Sequence, residues 1–355
     1  MFSLRRIGKS TEVLAFCARA PKSNPKHILI EINAEGFTSE TRLLLEILKK
    51  LSQGQIWTRI HSAIFSDNAI AQGARDALEK FVGVSADIQA YFPQIMNAIE
   101  SAMTSTDDII LVIDEFSWLC RHILDSDQKN GRARCDVLLA ALRRWRGKGV
   151  KMALLGSVGL ATLMRKHKID RNHLNDIPLF EIPPLTRIEA EDMIQALVVG
   201  AQINGWTKDH TDQMLEECYA YYPVTIQQAF TQLTIGQKAI PFDRIANRFA
   251  DRIRPGQDAT FFVQFDQRQQ LYRDLDGHLP KLLPNLIAAI MKSAKKMLPM
   301  SELQTLHDGD PTDLGDALAM LREDGFLSLR APKEGPQEWS PASGLVTAWW
   351  KQRYG

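Results

Sequence analysis

The sequence predicts an α/β protein built on a doubly wound parallel sheet, followed by an all-helical block and a terminal unit of three helices and a β-hairpin. Three observations lead there. Short β-branched runs alternate with leucines at helical spacing through the first half of the chain. The alternation stops at Pro183-Pro184, after which only helical periodicity continues. Near the carboxyl end, three short helical segments precede two strand-like runs separated by a Pro/Gly-rich turn.

In chain order, 27–33 (His-Ile-Leu-Ile-Glu-Ile-Asn) is a strand of the kind buried in a parallel sheet, and 41–51 is a helix. A helix over 87–103 ends at Thr104-Ser105-Thr106. The run 109–113 (Ile-Ile-Leu-Val-Ile) is the most continuous strand signal in the chain. Residues 137–145 are helical until Gly147 and Gly149, and 151–155 form a further strand. Strands separated by helices imply a parallel sheet with helices on both faces. Thr186 is the expected N-cap of a helix over 188–197, and helices continue to about Phe249. Residues 254–276 mix polar and aromatic side chains and give no assignable fold. Helices are then expected over 286–294, 300–307 and 313–324, the last stopped by Gly325. Residues 326–330 can pair with 338–340, which completes a winged-helix pattern. The expected domains are a core over 1–183, a helical lid over 184–253, a connector over 254–281 and a winged-helix domain over 282–355.

The 355 residues are 45% hydrophobic and 24% charged, with 43 lysines and arginines against 42 acids. A net charge of +1 does not announce a nucleic-acid binder or a polybasic membrane protein, although a local patch can sit within a neutral total. The four cysteines, Cys17, Cys120, Cys135 and Cys218, show no CxxC spacing and are expected as reduced thiols. No apolar run reaches the roughly 18 residues of a spanning helix, and Met1 to Arg6 lacks the apolar stretch of a signal peptide. The expectation is a soluble cytoplasmic protein with no membrane contact.

The chemistry concentrates in three places. The first is Ser3-Leu4-Arg5-Arg6-Ile7-Gly8-Lys9-Ser10. A loop that binds a polyphosphate needs backbone N–H groups facing it, a lysine for the β and γ phosphates, and a hydroxyl for Mg²⁺. Gly8, Lys9 and Ser10 meet these needs in order, and 11–18 supplies a helix whose positive end faces the anion. Serine stands at position 3, where the pattern has glycine. The second place is Leu111-Val112-Ile113-Asp114-Glu115, an apolar strand ending in two acids. Asp114 suits Mg²⁺, and Glu115 suits the general base that polarises a water. The alternative is a buried strand with two acids at its solvent end. The third place is Met152 to Ser157, a strand expected beside that of Asp114, from which Ser157 can reach the γ-phosphate or the attacking water. The alternative is a plain turn at Gly156-Ser157.

In this order, the three elements resemble those of the archaeal-type ATPase family, which groups with the signal-transducing (STAND) P-loop ATPases near the AAA+ proteins. The loop Ser3 to Ser10 is similar to that family's G-P-R-R-x-G-K-T. Leu111 to Glu115 is similar to its Walker B strand and Gly156 to Leu160 to its sensor-1 strand end. Pro184-Leu185-Thr186 with Glu189-Ala190 is similar to the start of its helical lid. Tyr222-Pro223-Val224-Thr225-Ile226-Gln227 resembles the lid motif that approaches the base, and Trp339 to Tyr354 resembles the end of its winged-helix domain. The resemblance implies ATP and Mg²⁺ as cofactors. Ser3, Arg5, Arg6, Ile7, Gly8, Lys9, Ser10, Thr11 and Pro223 would contact ATP, Ser10 and Asp114 the metal, and Glu115 and Ser157 the reaction. It implies a Mg-dependent ATPase acting as a nucleotide-driven switch. In that fold a buried strand precedes the loop, whereas only Met1 and Phe2 precede Ser3, so either an upstream start or a shortened member is expected.

Two other functions stay open at this point. A non-hydrolysing interaction module fits Ser3 and the short amino terminus. A DNA-associated regulator fits the winged-helix pattern, but the expected recognition helix carries Asp313, Asp316, Glu323 and Asp324 against Arg322 alone. Lys292, Lys295 and Lys296 on the preceding helix, and Arg330 and Lys333 on the wing, offer weak backbone contact. A protein partner or self-association is therefore preferred to DNA. Arg143, Arg144 and Arg146 are candidates for a γ-phosphate-sensing arginine, against the plainer reading of a solvated basic face.

Overall fold

The computed structural model describes residues 9–23, 28–52, 96–97, 99–100, 103, 109–127, 129–157, 159–178, 180, 182–218, 220–234, 260–307, 309–330 and 336–355. They belong to two compact units, one spanning Ser10–Leu179 and the other holding Lys9 and Phe180–Gly355. Among the described residues, no helix is long and apolar enough to cross a membrane.

Helix α1 (Lys9–Ser23), which belongs to the first unit from Ser10 on, is followed there by strand β1 (Ile28–Asn33) and helix α2 (Glu40–Ser52). Of the helix expected over 87–103, only 96–97, 99–100 and 103 are described, and these are helical. Strand β2 (Ile109–Asp114), helices α3 (Phe116–Ser126) and α4 (Gly131–Gly147), strand β3 (Lys151–Leu154) and helix α5 (Leu160–Lys166) follow. The strands form a parallel sheet in the order β1-β2-β3. Its register pairs Ile30 with Leu111 and Asn33 with Asp114, then Ile113 with Leu154.

Strand β2 has no polar alternation because both of its faces are covered. Ile109, Leu111 and Ile113 pack with Ile30, Ile32 and Leu154 beneath Leu44 and Ile47 of α2, Phe116 of α3 and Trp145 of α4. On the opposite face, Ile110 and Val112 pack with Leu155 and with Val13 of α1. Helices on both faces of a parallel sheet are the doubly wound arrangement that the alternation predicts. Gly131 allows α4 to begin against α3, since a β-carbon there would stand 2.4 Å from the Ile123 carbonyl oxygen. Cys120 and Cys135 are buried free thiols within this core.

The second unit begins with three helices, α6 (Arg187–Ala201), α7 (Lys208–Glu217) and α8 (Pro223–Thr234). Thr186 caps α6 as expected and completes a reciprocal box. The Glu189 N–H donates to the Thr186 hydroxyl at 3.3 Å, and the Thr186 N–H donates to the Glu189 carboxylate at 2.8 Å. Pro223 opens α8, where its missing N–H costs nothing. Ile194, Met214, Ile226 and Phe230 close the small core between the three.

Helix α9 (Thr260–Arg273) occupies the stretch that gave no assignable fold. Its Phe265 ring lies 5.2 Å from that of Phe326 and 5.4 Å from that of Trp349. Such aromatic pairs add about 0.5–1.5 kcal/mol each beyond the area they bury. Helix α10 (Leu279–Lys292) starts before the expected 286 and ends before Ala294. Lys292 is its last residue, so Lys295 and Lys296 lie in the turn beyond it and not on the helix. Strand β4 (Leu298–Pro299), helices α11 (Met300–Thr305) and α12 (Pro311–Glu323), strands β5 (Leu327–Arg330) and β6 (Glu338–Pro341) and helix α13 (Gly344–Tyr354) complete the chain. The hairpin pairs Leu329 with Trp339, as expected. The sheet also includes β4, in the antiparallel order β4-β6-β5. Gly325 ends α12 at φ 74°, a conformation open to glycine at little cost.

Asp324 departs from its expected place on an exposed recognition helix. It is 1% exposed. Its carboxylate accepts the buried Tyr272 hydroxyl at 2.7 Å, and its carbonyl accepts Arg268 Nη1 at 2.7 Å. Burial, with the Asp324 charge adding to it, pushes the Tyr272 hydroxyl well above its usual range. Asp324 therefore ties α9 to the end of α12 and contributes nothing to a surface charge.

Candidate functional site

Three elements deliver side chains to the carboxyl end of β2. Asp114 is the last residue of that strand and follows Ile110 and Val112 onto the face covered by α1. Its two carboxylate oxygens are separately engaged. Oδ2 accepts the Ser10 hydroxyl at 2.5 Å, and Oδ1 accepts the Glu115 N–H at 2.9 Å. Ser10 is the second residue of α1, beside Lys9, which is 5% exposed. The amino end of a 15-residue helix thus lies at the end of the strand, with the Ser10 hydroxyl on the Asp114 carboxylate there and Lys9 the preceding residue of the helix.

Glu115 adopts φ 53° and ψ 32°, in the left-handed region that a side chain with a β-carbon rarely takes. The strain is of order 1–3 kcal/mol and is typical of functional positions. Surrounding bonds hold it. The Phe116 N–H donates to the Leu155 carbonyl at 2.7 Å, and the Leu155 N–H donates to the Ile113 carbonyl at 2.9 Å. The turn therefore cannot relax without unpicking the junction between β2 and β3. Beyond β3, buried Ser157 donates its hydroxyl to Glu115 Oε2 at 2.8 Å.

Of the residues singled out in the sequence, Ser10, Asp114, Glu115 and Ser157 thus meet through two direct side-chain bonds. Thr11 is exposed on the first turn of α1. Ser3, Arg5, Arg6, Ile7 and Gly8 lie outside the described residues. Pro223 belongs to the second unit, half-buried at the start of α8.

Asn33 was not singled out, although its register partner is Asp114. Its side-chain oxygen accepts the Glu35 N–H at 2.9 Å, closing the turn after β1 beside the site. The available signal was a polar residue ending an apolar run, the same signature that marked Asp114.

Two of the three arginines considered as phosphate sensors are engaged in ion pairs within the first unit. Arg144 and Lys148 both bind Glu100, and their attraction outweighs the burial that raises its pKa, leaving it below the ordinary carboxylate range. Arg146 forms a bidentate pair with Asp176 at 2.7 and 2.8 Å and donates to the His173 carbonyl at 2.6 Å. These are structural contacts on α4. Arg143 is exposed.

The donor set at Ser10 and Asp114 consists of hard oxygens, a hydroxyl and one carboxylate. Mg²⁺ takes such ligands and fills its other positions with water and substrate phosphates. Among the described residues, no group of three or more His, Cys, Asp or Glu assembles as a self-contained metal cage. The residues present therefore fit Mg²⁺ held jointly with a polyphosphate.

No protein-family model and no curated protein matches the chain. Among solved structures, it is similar to that of the Aeropyrum pernix ORC2 protein in ADPNP–ADP complexes. The identity is 13% over 98% of this chain and 84% of that chain, with a TM-score of 0.44.

Proposed function

We propose that the first unit binds Mg²⁺ and ATP at the junction of α1 and β2 and hydrolyses the γ-phosphate. The supporting observation is the chain of contacts from Ser10 to Asp114 and from Ser157 to Glu115 around the amino end of α1. Lys9 and the loop before it would bind the phosphates, with the helix end adding partial positive charge. Ser10 and Asp114 would hold Mg²⁺, which when bound neutralises charge on the phosphates. Glu115 would accept a proton from water as the water attacks phosphorus, and Ser157 would hold that carboxylate in place.

We read 282–355 as a winged-helix domain, with α12 in the recognition position. With Asp324 buried, that helix still carries Asp313, Asp316 and Glu323 against Arg322, which favours a protein partner over a DNA backbone. Nucleotide turnover would then act as a switch on that partner.

The test is Glu115→Gln, which keeps shape and hydrogen bonding but removes the base. The variant should bind ATP with Mg²⁺ as the parent does and lose about 100-fold or more in turnover. Unchanged turnover would remove Glu115 from the mechanism, and an absence of ATP binding by the parent chain would remove the reading altogether.

A further inference from the structure

The second unit contains a cleft of about 560 Å³ lined by 13 residues from Pro184 to Thr347. Its volume falls within the range of small-molecule sites. The lining includes Lys295 and Lys296 and no aspartate or glutamate. Neither lysine forms an ion pair among the described residues. Both stand in the turn after α10, and Lys296 adopts φ 51°, so the backbone is held in a left-handed conformation where this side chain enters the lining.

The amino end of the 11-residue helix α13 opens on the same cleft through Ser343 and Gly344. Ser343 occupies the N-cap position, yet its hydroxyl makes no capping hydrogen bond. That hydroxyl oxygen is fully buried and has no hydrogen-bond partner. A serine in this position ordinarily bonds to an N–H of the first turn, and an unpaired buried hydroxyl costs about 1–3 kcal/mol. Two cations and an uncapped helix amino end line one concavity, and each favours an oxyanion; the unsatisfied Ser343 hydroxyl lies within its wall. Tyr221, Met297 and Pro341 give the remaining wall apolar surface.

We propose that this cleft binds a small phosphate-bearing molecule, its oxyanion held by Lys295, Lys296 and the amino end of α13. Neither Lys9 nor Asp114 is among its lining residues, and the proposal does not depend on the nucleotide reading above.

Isothermal titration of the full chain with inorganic phosphate and with phenyl phosphate tests it, at ionic strength matched with sodium chloride. Saturable binding of either is expected, and tighter binding of phenyl phosphate would identify an organic ester as the natural type of ligand. The double variant Lys295→Gln, Lys296→Asn should weaken binding about tenfold for each lysine removed. Asparagine is chosen because it tolerates the left-handed backbone at position 296. Lys9→Ala should leave this binding intact. Binding that vanishes in Lys9→Ala and survives in the double variant would overturn the proposal, as would no saturable binding to the parent.

A second variant keeps the test independent of the lysines. Ser343→Ala removes the unpaired hydroxyl, so the ligand-free protein should melt at the same or a higher temperature. The rise in melting temperature that phosphate produces should shrink. A phosphate-induced rise equal to that of the parent would exclude the Ser343 hydroxyl from the site and overturn its part in the proposal.

Discussion

The Ser157 hydroxyl donates to Glu115 Oε2 at 2.8 Å, linking the ends of two adjacent parallel strands through their side chains. Backbone strain at Glu115 and the buried position of Ser157 make this contact a fixed one. If Glu115 is the base, Ser157→Ala releases its carboxylate without removing it. Turnover should fall about 10- to 100-fold while KM for ATP changes by less than about threefold, the pattern of a group that orients the base. A matching loss of ATP affinity would instead make Ser157 a phosphate contact.

Asp114 uses one oxygen for Ser10 and the other for the Glu115 N–H. Asp114→Asn can keep both contacts, because its carbonyl still accepts from the Glu115 N–H and its amide can donate to the serine hydroxyl. The fold should therefore persist while the charge proposed to attract Mg²⁺ is lost. The expected result is a variant whose melting temperature rises with ATP to the same extent with and without Mg²⁺. A Mg²⁺-dependent increment as large as that of the parent would place the metal elsewhere.

Arg146 and Arg143 occupy different settings on one helix. Arg146 holds Asp176 below its usual carboxylate range through a bidentate pair and also bonds to the His173 carbonyl. Asp176 is about half in solvent, and screening keeps the value of the pair modest. Arg146→Ala should cost about 1–3 kcal/mol in denaturant unfolding, chiefly from the uncovered carbonyl and lost packing. Arg143→Ala on the exposed face should stay within about 0.5 kcal/mol. Unchanged stability together with lost turnover in the Arg146 variant would restore it as a phosphate sensor.

The sequence made the sheet legible because burial on both faces forces continuous apolar runs, and Ile109 to Ile113 has no other explanation. The Thr186 cap was legible because Glu189 stands three residues on, where the reciprocal bond requires it. Helix α9 was not, since its buried positions are Phe262, Phe265, Arg268 and Tyr272 spaced among polar residues, a pattern without aliphatic periodicity. Helix α10 begins before the expected 286, because Pro280 and Pro284, residues that normally mark helix limits, here lie in its first turn and just beyond it. The acids at the end of β2, and the different roles expected of them, could be read from residue types and order. The left-handed turn at Glu115 and its bond to Ser157 could not, because they depend on backbone conformation and on where the end of another strand arrives. Asp324 misled for a related reason: its partners Arg268 and Tyr272 lie more than 50 residues away.

His210 carries a pH dependence that can be isolated. It stands at the third position of α7, where its Nδ1 accepts the Thr207 N–H at 2.9 Å, so the ring must be neutral for the cap to form. Burial lowers its pKa from the ordinary 6.5, and the nearby Asp209 charge only partly opposes this. The folded state therefore binds this proton less readily than the unfolded chain. The resulting stability is complete above about 6.5 and is lost as pH falls from there toward the lower folded value. Glutamine at the same position can accept the Thr207 N–H, as in an ordinary capping box, without titrating. His210→Gln should thus unfold within about 1 kcal/mol of the parent at pH 7.5. Between pH 6.5 and 5 it should lose less stability than the parent does. Denaturant unfolding across that range measures the difference between the two slopes, which removes the contribution of other histidines such as His167, whose pKa burial also lowers. Parallel slopes would show that protonation of His210 does not open the cap of α7.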